Sequence, residues 1–224
     1  MADKILILPA NFYHTMKRFL FSSLLILASA PVFSQYKAIV ELKKNSALSI
    51  FVETNMMNFT LVQNGDKLLT TPVEISAKME KNKLFIDHNK LAIDIRGFKS
   101  DNLIGQNEFY KLMRIDKFPR MNIELIRFDA EMYTPVDRSN GHAWLNITIT
   151  NVTRKYEFPV IIEKENGLMR VAGRKKISIT DFGLTAPKNL LLGMVKVNEQ
   201  IVIDLNFLCK LSLMDGDLAD QPVR

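Results

Sequence analysis

Cysteine, histidine and glycine are scarce in this sequence, and each shortage excludes a class of protein. The chain has 224 residues, among them one cysteine, three histidines and nine glycines. Its single thiol, Cys209, cannot form an internal disulfide, so the fold must be held by its core and by strand pairing. We expect Cys209 to be buried and inert, because a catalytic thiol needs a basic partner nearby.

The few histidines leave little scope for hydrolytic or metal chemistry. His88 follows a predicted strand and His142 stands near Trp144, and neither has a recognisable catalytic context. The sequence contains no G-x-S-x-G, H-x-x-x-H, H-x-H or C-x-x-C motif and no glycine-rich phosphate loop. We therefore predict that the protein is not an enzyme and uses no cofactor or metal.

Charge of one sign is not concentrated anywhere in the chain. Thirty Lys and Arg against 24 Asp and Glu give a net charge of +6. This excess is spread along the sequence and forms no basic block, which makes nucleic acid a poor candidate partner.

The first 34 residues have the layout of a secretory signal peptide. Lys17 and Arg18 precede an apolar run of 12 residues, Phe19–Ala30, and a short exit follows up to Ser34. A helix that spans a bilayer needs about 20 residues. We therefore expect cleavage after Ser34 and no stable membrane span afterwards.

The expected leader divides the chain into unequal parts. Met16 stands directly before the basic pair, which suggests that residues 1–15 precede the true start of translation. Residues 35–213 are long enough for one domain with a substantial core, and we expect this domain to be periplasmic or secreted. Residues 214–224 form a polar tail.

Apolar and polar residues alternate with a period of two through most of the chain, which indicates strands. Leu48–Val52, Leu145–Ile149 and Ile201–Phe207 show this pattern clearly. The breaks at Asn64-Gly65-Asp66 and Glu165-Asn166-Gly167 have hairpin length. Nine or ten strands joined in this way favour an all-β fold, either a barrel or a sandwich.

Ser100–Phe118 is the exception to the strand pattern. Ser100 or Asp101 can cap a helix, and Pro119 closes the segment. We predict one or two short helices near residues 100–118, lying against one end of the sheet. Five apolar residues support this prediction by their helical spacing: Leu103, Ile104, Phe109, Leu112 and Met113.

Four short motifs follow one another along the chain. They are the pair Phe109-Tyr110, the triplet Lys117-Phe118-Pro119, the strand Leu145–Lys155 and the segment Ile177–Leu184, which contains Asp181-Phe182-Gly183. This order resembles the YceI-like family of periplasmic, polyisoprenoid-binding proteins, over about residues 38–211. The sequence departs from the family pattern at Ser100–Ile104, which replaces a charged stretch, and at Asn151, which replaces a turn glycine.

The resemblance implies a single antiparallel, eight-stranded, lipocalin-like barrel with an apolar tunnel for an isoprenoid tail. Each buried CH₂ contributes about 0.8 kcal/mol, so a long chain can bind with few polar contacts. Phe109, Tyr110 and Phe118 are candidates to close one end. The other candidate ligand-binding residues are apolar positions expected to face inward: Leu48, Ile50, Val52, Phe59, Leu61, Leu145, Ile147, Ile149, Ile201, Ile203 and Leu205.

Alternation alone leaves the content of the barrel open, because eight strands can either enclose a slender ligand or fill with side chains. The leading hypothesis is an exported protein that carries or stores an isoprenoid, a quinone or another long-chain lipid. The runner-up is a filled barrel that acts as a structural or interaction module of the cell envelope. The sequence does not set the oligomeric state, and a homodimer is one alternative.

Overall fold

The fold was analysed in a computed structural model. It describes residues 35–68, 72–80, 83–87, 89–130, 138–187 and 194–213. The predicted leader, the polar tail and His88 lie outside these residues.

Strands make up most of the described chain, with two helices and two 3₁₀ turns between them. The predicted all-β class is confirmed. In chain order the elements are β1 Gln35–Leu42, β2 Ala47–Thr54, β3 Phe59–Asn64, α1 Gly65–Leu68, β4 Val73–Glu80, β5 Lys83–Asp87, β6 Leu91–Asp94, a 3₁₀ turn Ile95–Gly97, α2 Leu103–Leu112, β7 Arg120–Ala130, β8 Arg138–Ile149, β9 Val152–Glu165, β10 Leu168–Ser178, a 3₁₀ turn Ile179–Phe182 and β11 Val197–Leu213.

Eight strands close into an antiparallel barrel, as the resemblance implied. Their order around the barrel is β1, β4, β5, β7, β8, β9, β10 and β11, and pairing between β11 and β1 completes the ring. Strand β1 itself was not predicted from the alternation pattern. This closed ring defines one end of the molecule, which we call the cavity end.

The other three strands surround the opposite end of the same long strands. β2 pairs with the first part of β11 and carries β3 on its outer side, while β6 pairs with the first part of β7. Two backbone hydrogen bonds between Val62 and Lys99, of 2.8 and 2.9 Å, bring β3 to the segment after β6. Together with α2 these strands form what we call the helix end.

Strands β7 and β11 therefore change their neighbouring strand midway. At each of these two points a polar side chain bonds to the backbone of the long strand. Ser46 bonds to both the N–H and the C=O of Leu208, at 2.9 and 3.2 Å, where β11 changes from β2 to β1. Asn89 bonds in the same way to the N–H and C=O of Leu125, at 2.6 and 2.7 Å, where β7 changes from β6 to β5. The Leu208 C=O also accepts a hydrogen bond of 2.8 Å from the Lys43 N–H. Ser46 thus supplies a partner for the Leu208 N–H, and Asn89 supplies partners for both backbone groups of Leu125.

The β8–β9 hairpin has a turn of two residues, because Ile149 pairs directly with Val152. The two turn residues, Thr150 and Asn151, have φ values of 48° and 68°. This left-handed pair matches the right-handed twist of the strands, and asparagine tolerates the conformation that a glycine would otherwise provide.

The predicted helical segment contains one α-helix, α2. Its N-cap is Asn102, whose side chain accepts a hydrogen bond of 2.9 Å from the Gly105 N–H, so the prediction of Ser100 or Asp101 as the cap was wrong. Ser100 instead supports the cap by accepting from the Asn102 N–H. The first apolar residues of the helix, Leu103 and Ile104, are exposed rather than packed on the barrel.

After β9 the chain forms one continuous strand, Leu168–Ser178, which the second 3₁₀ turn follows directly. Within the described ranges, no helix has the length and apolar character needed to cross a bilayer.

Candidate ligand cavity

An apolar cavity of about 220 Å³ lies inside the cavity end. Long strands supply most of its wall through alternate, inward-facing residues, and β1 and β4 close it. Asn89 is the polar exception in the wall, and its amide is engaged by the backbone of Leu125. The lining residues are Val40, Leu42, Ile75, Asn89, Leu91, Ile123, Leu125, Phe128, Ala143, Leu145, Val160, Met169, Val171, Leu205, Phe207, Cys209 and Leu211.

Modest side-chain size explains why this space is not filled. Ala143, Val160 and Val171 face it from three successive strands. Beside them Gly173 allows β9 and β10 to approach closely, because a Cβ there would lie 2.9 Å from a methyl group of Val160. Small residues on neighbouring strands therefore leave an opening that larger ones would occupy.

A second, smaller cavity of about 70 Å³ lies under α2 at the helix end. Phe59 and Phe109 both line it. The helix approaches the sheet closely at Gly105, where a Cβ would come within 2.7 Å of the Phe59 ring. The Phe109 ring meets Phe98 edge to face at 5.5 Å. Aromatic packing under the helix thus leaves little free volume.

A layer of fully buried side chains separates the two cavities. On β8, Leu145 lines the large cavity, Ile149 lines the small one, and Ile147 between them is 0% exposed and lines neither. Phe158 on β9 and Ile93 on β6 are also 0% exposed. The interior is therefore two spaces with a packed layer between them, not one open tunnel.

The structure divides the predicted ligand-binding residues among these three regions. Leu145 and Leu205 line the large cavity. Leu48, Leu61 and Ile147 are buried but line neither space. The small cavity receives the largest group: Ile50, Val52, Phe59, Phe109, Ile149, Ile201 and Ile203.

Tyr110 and Phe118, which were expected to help close one end, line neither cavity. The Tyr110 hydroxyl donates to the backbone C=O of Phe98 at 2.6 Å and thereby holds α2 to the preceding segment. Phe118 is half-buried and lies 5.4 Å from the Lys117 ammonium group.

Sequence reasoning missed most of the wall of the large cavity. Alternation along β11 continues beyond Leu205 to Phe207, Cys209 and Leu211, which all line it, so the period of two contained the signal for these residues. The contributions of β1 and β4 had no such signal, because they depend on which strands close the ring.

Cys209 is buried in the wall of the large cavity, as expected for an inert thiol. Burial raises the pKa of its thiol to about 12. At neutral pH the group is therefore protonated and behaves as a small apolar side chain.

The polar groups of the described chain lie mainly on the outside of the barrel. His142 Nδ1 is 2.7 Å from Glu157 Oε1, and both side chains are about half exposed. Beside them the Arg127 guanidinium stacks on the Trp144 ring at 3.5 Å. Among the described residues, no group of three or more His, Cys, Asp or Glu side chains is arranged to hold a metal ion.

A family model for the YceI-like domain matches residues 43–208. That range begins directly after β1 and ends within β11. It includes the whole lining of the small cavity and most of the lining of the large one, apart from Val40, Leu42, Cys209 and Leu211. The chain belongs to the YceI-like family.

Solved structures similar to this YceI-like chain have low sequence identity to it. A polyisoprenoid-binding domain from Saccharophagus degradans, implicated in plant cell wall breakdown, is 10% identical, with a TM-score of 0.55. The match covers 80% of this chain and all of that domain. BcnA from Burkholderia cenocepacia is 11% identical, with a TM-score of 0.48, over 75% of this chain and 99% of its own. A comparison with curated proteins found no match.

The motif Asp181-Phe182-Gly183 of this YceI-like chain has a structural role. Gly183, with φ of 69°, caps the 3₁₀ turn in a left-handed conformation, and the buried Phe182 lines the small cavity. The Tyr156 hydroxyl donates to Asp181 at 2.7 Å. Burial, then the hydrogen bond and negative charge of Asp181, raises the pKa of Tyr156 above its ordinary value. The motif thus fixes a turn rather than a reactive group.

Proposed function

We propose that this protein is exported and holds an apolar chain of an isoprenoid, a quinone or another long-chain lipid in the large cavity, as a carrier or store. The observation that supports this most directly is the almost wholly apolar wall around about 220 Å³ of space inside the cavity end. An apolar chain entering this space would leave water without requiring polar partners. The polyisoprenoid-binding domain that shares the fold supports the same class of ligand.

The size of the cavity limits what it can enclose. Pockets for drug-sized ligands measure about 300–1,000 Å³, and this cavity is smaller. A long isoprenoid would therefore place only one segment in it, and the remainder would emerge past the exposed edge of the wall, where Leu211 is 40% exposed. The packed layer at Ile147 would stop the chain from reaching the helix end.

Export rests on the N-terminal sequence and on the family. The leader pattern predicts a mature N-terminus at Gln35, and residues 35–42 form β1, which completes the ring. A cut close to this position would leave the barrel intact. Intact-mass measurement of the protein recovered from the periplasm of a bacterial host tests this point, and a species beginning before Met16 or within β1 would contradict it.

Ligand binding is tested by native mass spectrometry of the protein from its own host, followed by organic extraction and lipid analysis. We expect one lipid per chain. Ala143→Phe places a ring in the large cavity and should abolish the bound mass. Ala92→Phe makes the same change on an exposed position of β6 and should retain it. A folded Ala143→Phe protein that keeps its lipid would show that the large cavity is not the site.

A filled barrel that acts as an envelope interaction module is the second candidate function. The packed layer favours it, because Ile147 and Phe158 are fully buried and line neither cavity. Wild-type protein that carries no lipid, and keeps an unchanged mass after incubation with isoprenoid, quinone and fatty-acid species, would favour this function over the carrier.

A further inference from the structure

The helix end carries a group of exposed apolar side chains that neither the core nor the large cavity uses. Its members, which we call the apolar rim, are Met56, Met57, Leu103, Ile104 and Met194, exposed by 63, 61, 67, 52 and 61%. One further large apolar side chain of the described residues, Leu211, is exposed, and it lies at the cavity end. Apolar groups concentrated on one surface of a protein commonly mark an interaction site.

Three loops contribute to the rim and are joined to one another. Asn102 Nδ2, next to Leu103, lies 3.3 Å from the Met57 sulfur. On the other side, Asn55 Nδ2 donates to the C=O of Met194 at 3.1 Å, and the Asn55 side chain accepts from the Lys196 N–H at 2.7 Å. The turn after β2 thus connects the start of α2 to the segment before β11, so the three segments that carry the rim are neighbours at the helix end.

Packing of α2 does not account for Leu103 and Ile104. The helix contacts the barrel through Gly105, which lies against Phe59, and through Phe109, which lies against Phe98. The first turn extends beyond these contacts. Contacts within the described residues therefore do not explain why these two exposed positions are apolar.

The segment that contains α2 is basic. Residues 96–120 hold six Lys and Arg but three Asp and Glu. Two of the acidic side chains are ion-paired inside the segment, Glu108 with Lys111 at 2.7 Å and Asp116 with Arg96 at 3.2 Å. Apart from these two pairs, the segment has one acidic side chain, Asp101, and four basic ones. The basic residues are Lys99, Arg114, Lys117 and Arg120.

We propose that the helix end docks on the surface of a bilayer that contains anionic lipids, with the apolar rim in the interface between headgroups and acyl chains. Apolar side chains combined with an excess of Lys and Arg in the same segment are the composition that binds such surfaces. A symmetric dimer through the same face would bring two copies of the basic segment together, and like charges oppose that arrangement. This docking does not depend on whether the large cavity holds a lipid.

The rim variant Leu103→Gln with Ile104→Gln tests the proposal in vesicle co-sedimentation. The protein is the species that accumulates when the whole chain is expressed, with its N-terminus established by intact mass. We expect binding to vesicles of phosphatidylglycerol and phosphatidylcholine, at least tenfold weaker binding of the rim variant, and further weakening at high salt. Ser212→Gln places the same side chain on an exposed position at the cavity end that lines neither cavity, and it should bind like the wild type.

A fluorescent probe shows which end contacts the lipid, whatever the N-terminal segment contributes. In a Cys209→Ala background, Met57→Cys and Ser212→Cys are labelled with an environment-sensitive dye. We expect a blue shift on adding anionic vesicles at position 57 and none at position 212, which is exposed at the cavity end. No shift at 57, or equal shifts at both positions, would overturn the proposal. Self-association of the wild type that the rim variant loses, without vesicle binding, would assign the rim to a second copy of the chain and would also overturn it.

Discussion

The two ends of this barrel share the same five long strands, β7 to β11, yet one end is hollow and the other is packed. At the helix end, α2 covers the opening, and Phe98, Phe109 and Phe182 reduce the free space to about 70 Å³. At the cavity end, β1, β4 and β5 complete the ring without a helix, and about 220 Å³ remains.

This difference shows that apolar alternation does not by itself specify a binding cavity. Leu145 and Ile149 belong to the same face of the same strand, but one lines the large cavity and the other packs near α2. An inward-facing residue can line a cavity where the opposite wall carries small residues. It packs against another side chain where the opposite wall carries aromatic rings.

Removal of a phenylalanine ring should have the largest effect, and it should differ between the ends. Phe98→Ala empties a fully buried site that contacts Phe109, so we expect a loss of about 3–5 kcal/mol in the free energy of unfolding. Phe128→Ala should cost at least about 1 kcal/mol less, because the ring already faces the large cavity on one side and makes fewer contacts there. Urea denaturation measures both values.

Equal losses for the two phenylalanine variants would mean that the large cavity closes in solution, and the contrast between the ends would disappear. Addition of an isoprenoid alcohol to the ligand-free proteins provides a control. It should stabilise the wild type and have no such effect on the Ala143→Phe variant described above.

The wall of the cavity end can also be examined through Cys209. Because burial raises the pKa of this thiol to about 12, the thiolate fraction near neutral pH is roughly a thousandfold below that of an ordinary cysteine. We expect iodoacetamide to react at least that much more slowly with the folded protein than with the protein in guanidinium chloride. The rate should rise about tenfold per pH unit while the fold persists. Labelling at a rate close to that of the exposed Met57→Cys position would contradict this buried placement.

Enlarging a side chain should distinguish the packed layer from the hollow end. Ile147→Phe forces extra atoms into a fully buried position, and we expect it to cost about 1–3 kcal/mol in stability. Ala143→Phe faces the large cavity and should change stability by less than about 1 kcal/mol, because its ring enters existing space. Thermal denaturation of the two variants checks this order, and a reversal of the order would place the free volume in the layer instead.

The smallest of these effects concerns the junction between the two ends. Ser46→Ala removes both hydrogen bonds to the backbone of Leu208 where β11 changes partners, and we expect a loss of about 1–2 kcal/mol. Ser49→Ala, on the half-buried face of β2, is the matched control and should cost less than about 0.5 kcal/mol. Similar values for both would mean that water replaces Ser46 at the junction.

Much of the fold could be predicted because the decisive signals are local. The period of two along β2, β8 and β11 identified strands and their buried faces, and the helical spacing near Phe109 located α2. The exposed position of Leu103 and Ile104 could not be predicted in this way, because the spacing of apolar residues does not tell how far a helix extends beyond the surface that it covers.

The candidate site was only partly predictable, for a similar reason. The alternation of residues along each strand correctly predicted that Leu145 and Leu205 face the interior, and both line the large cavity. The same alternation also selected Ile50 and Ile203 as ligand-binding candidates, but these residues line the small cavity at the helix end. Alternation shows whether a residue faces the inside or the outside of the barrel. It does not show where that residue lies along the barrel axis relative to residues of other strands.

The sequence by itself determined the fold class, the buried faces of the long strands and the absence of disulfide bonds, because these depend on the order and type of neighbouring residues. The tertiary structure decided where the free space lies. Ring closure by β1, the partner changes at Ser46 and Asn89, and the covering of one end by α2 all join residues far apart in the chain. Only their meeting in space leaves one end of the barrel hollow and fills the other.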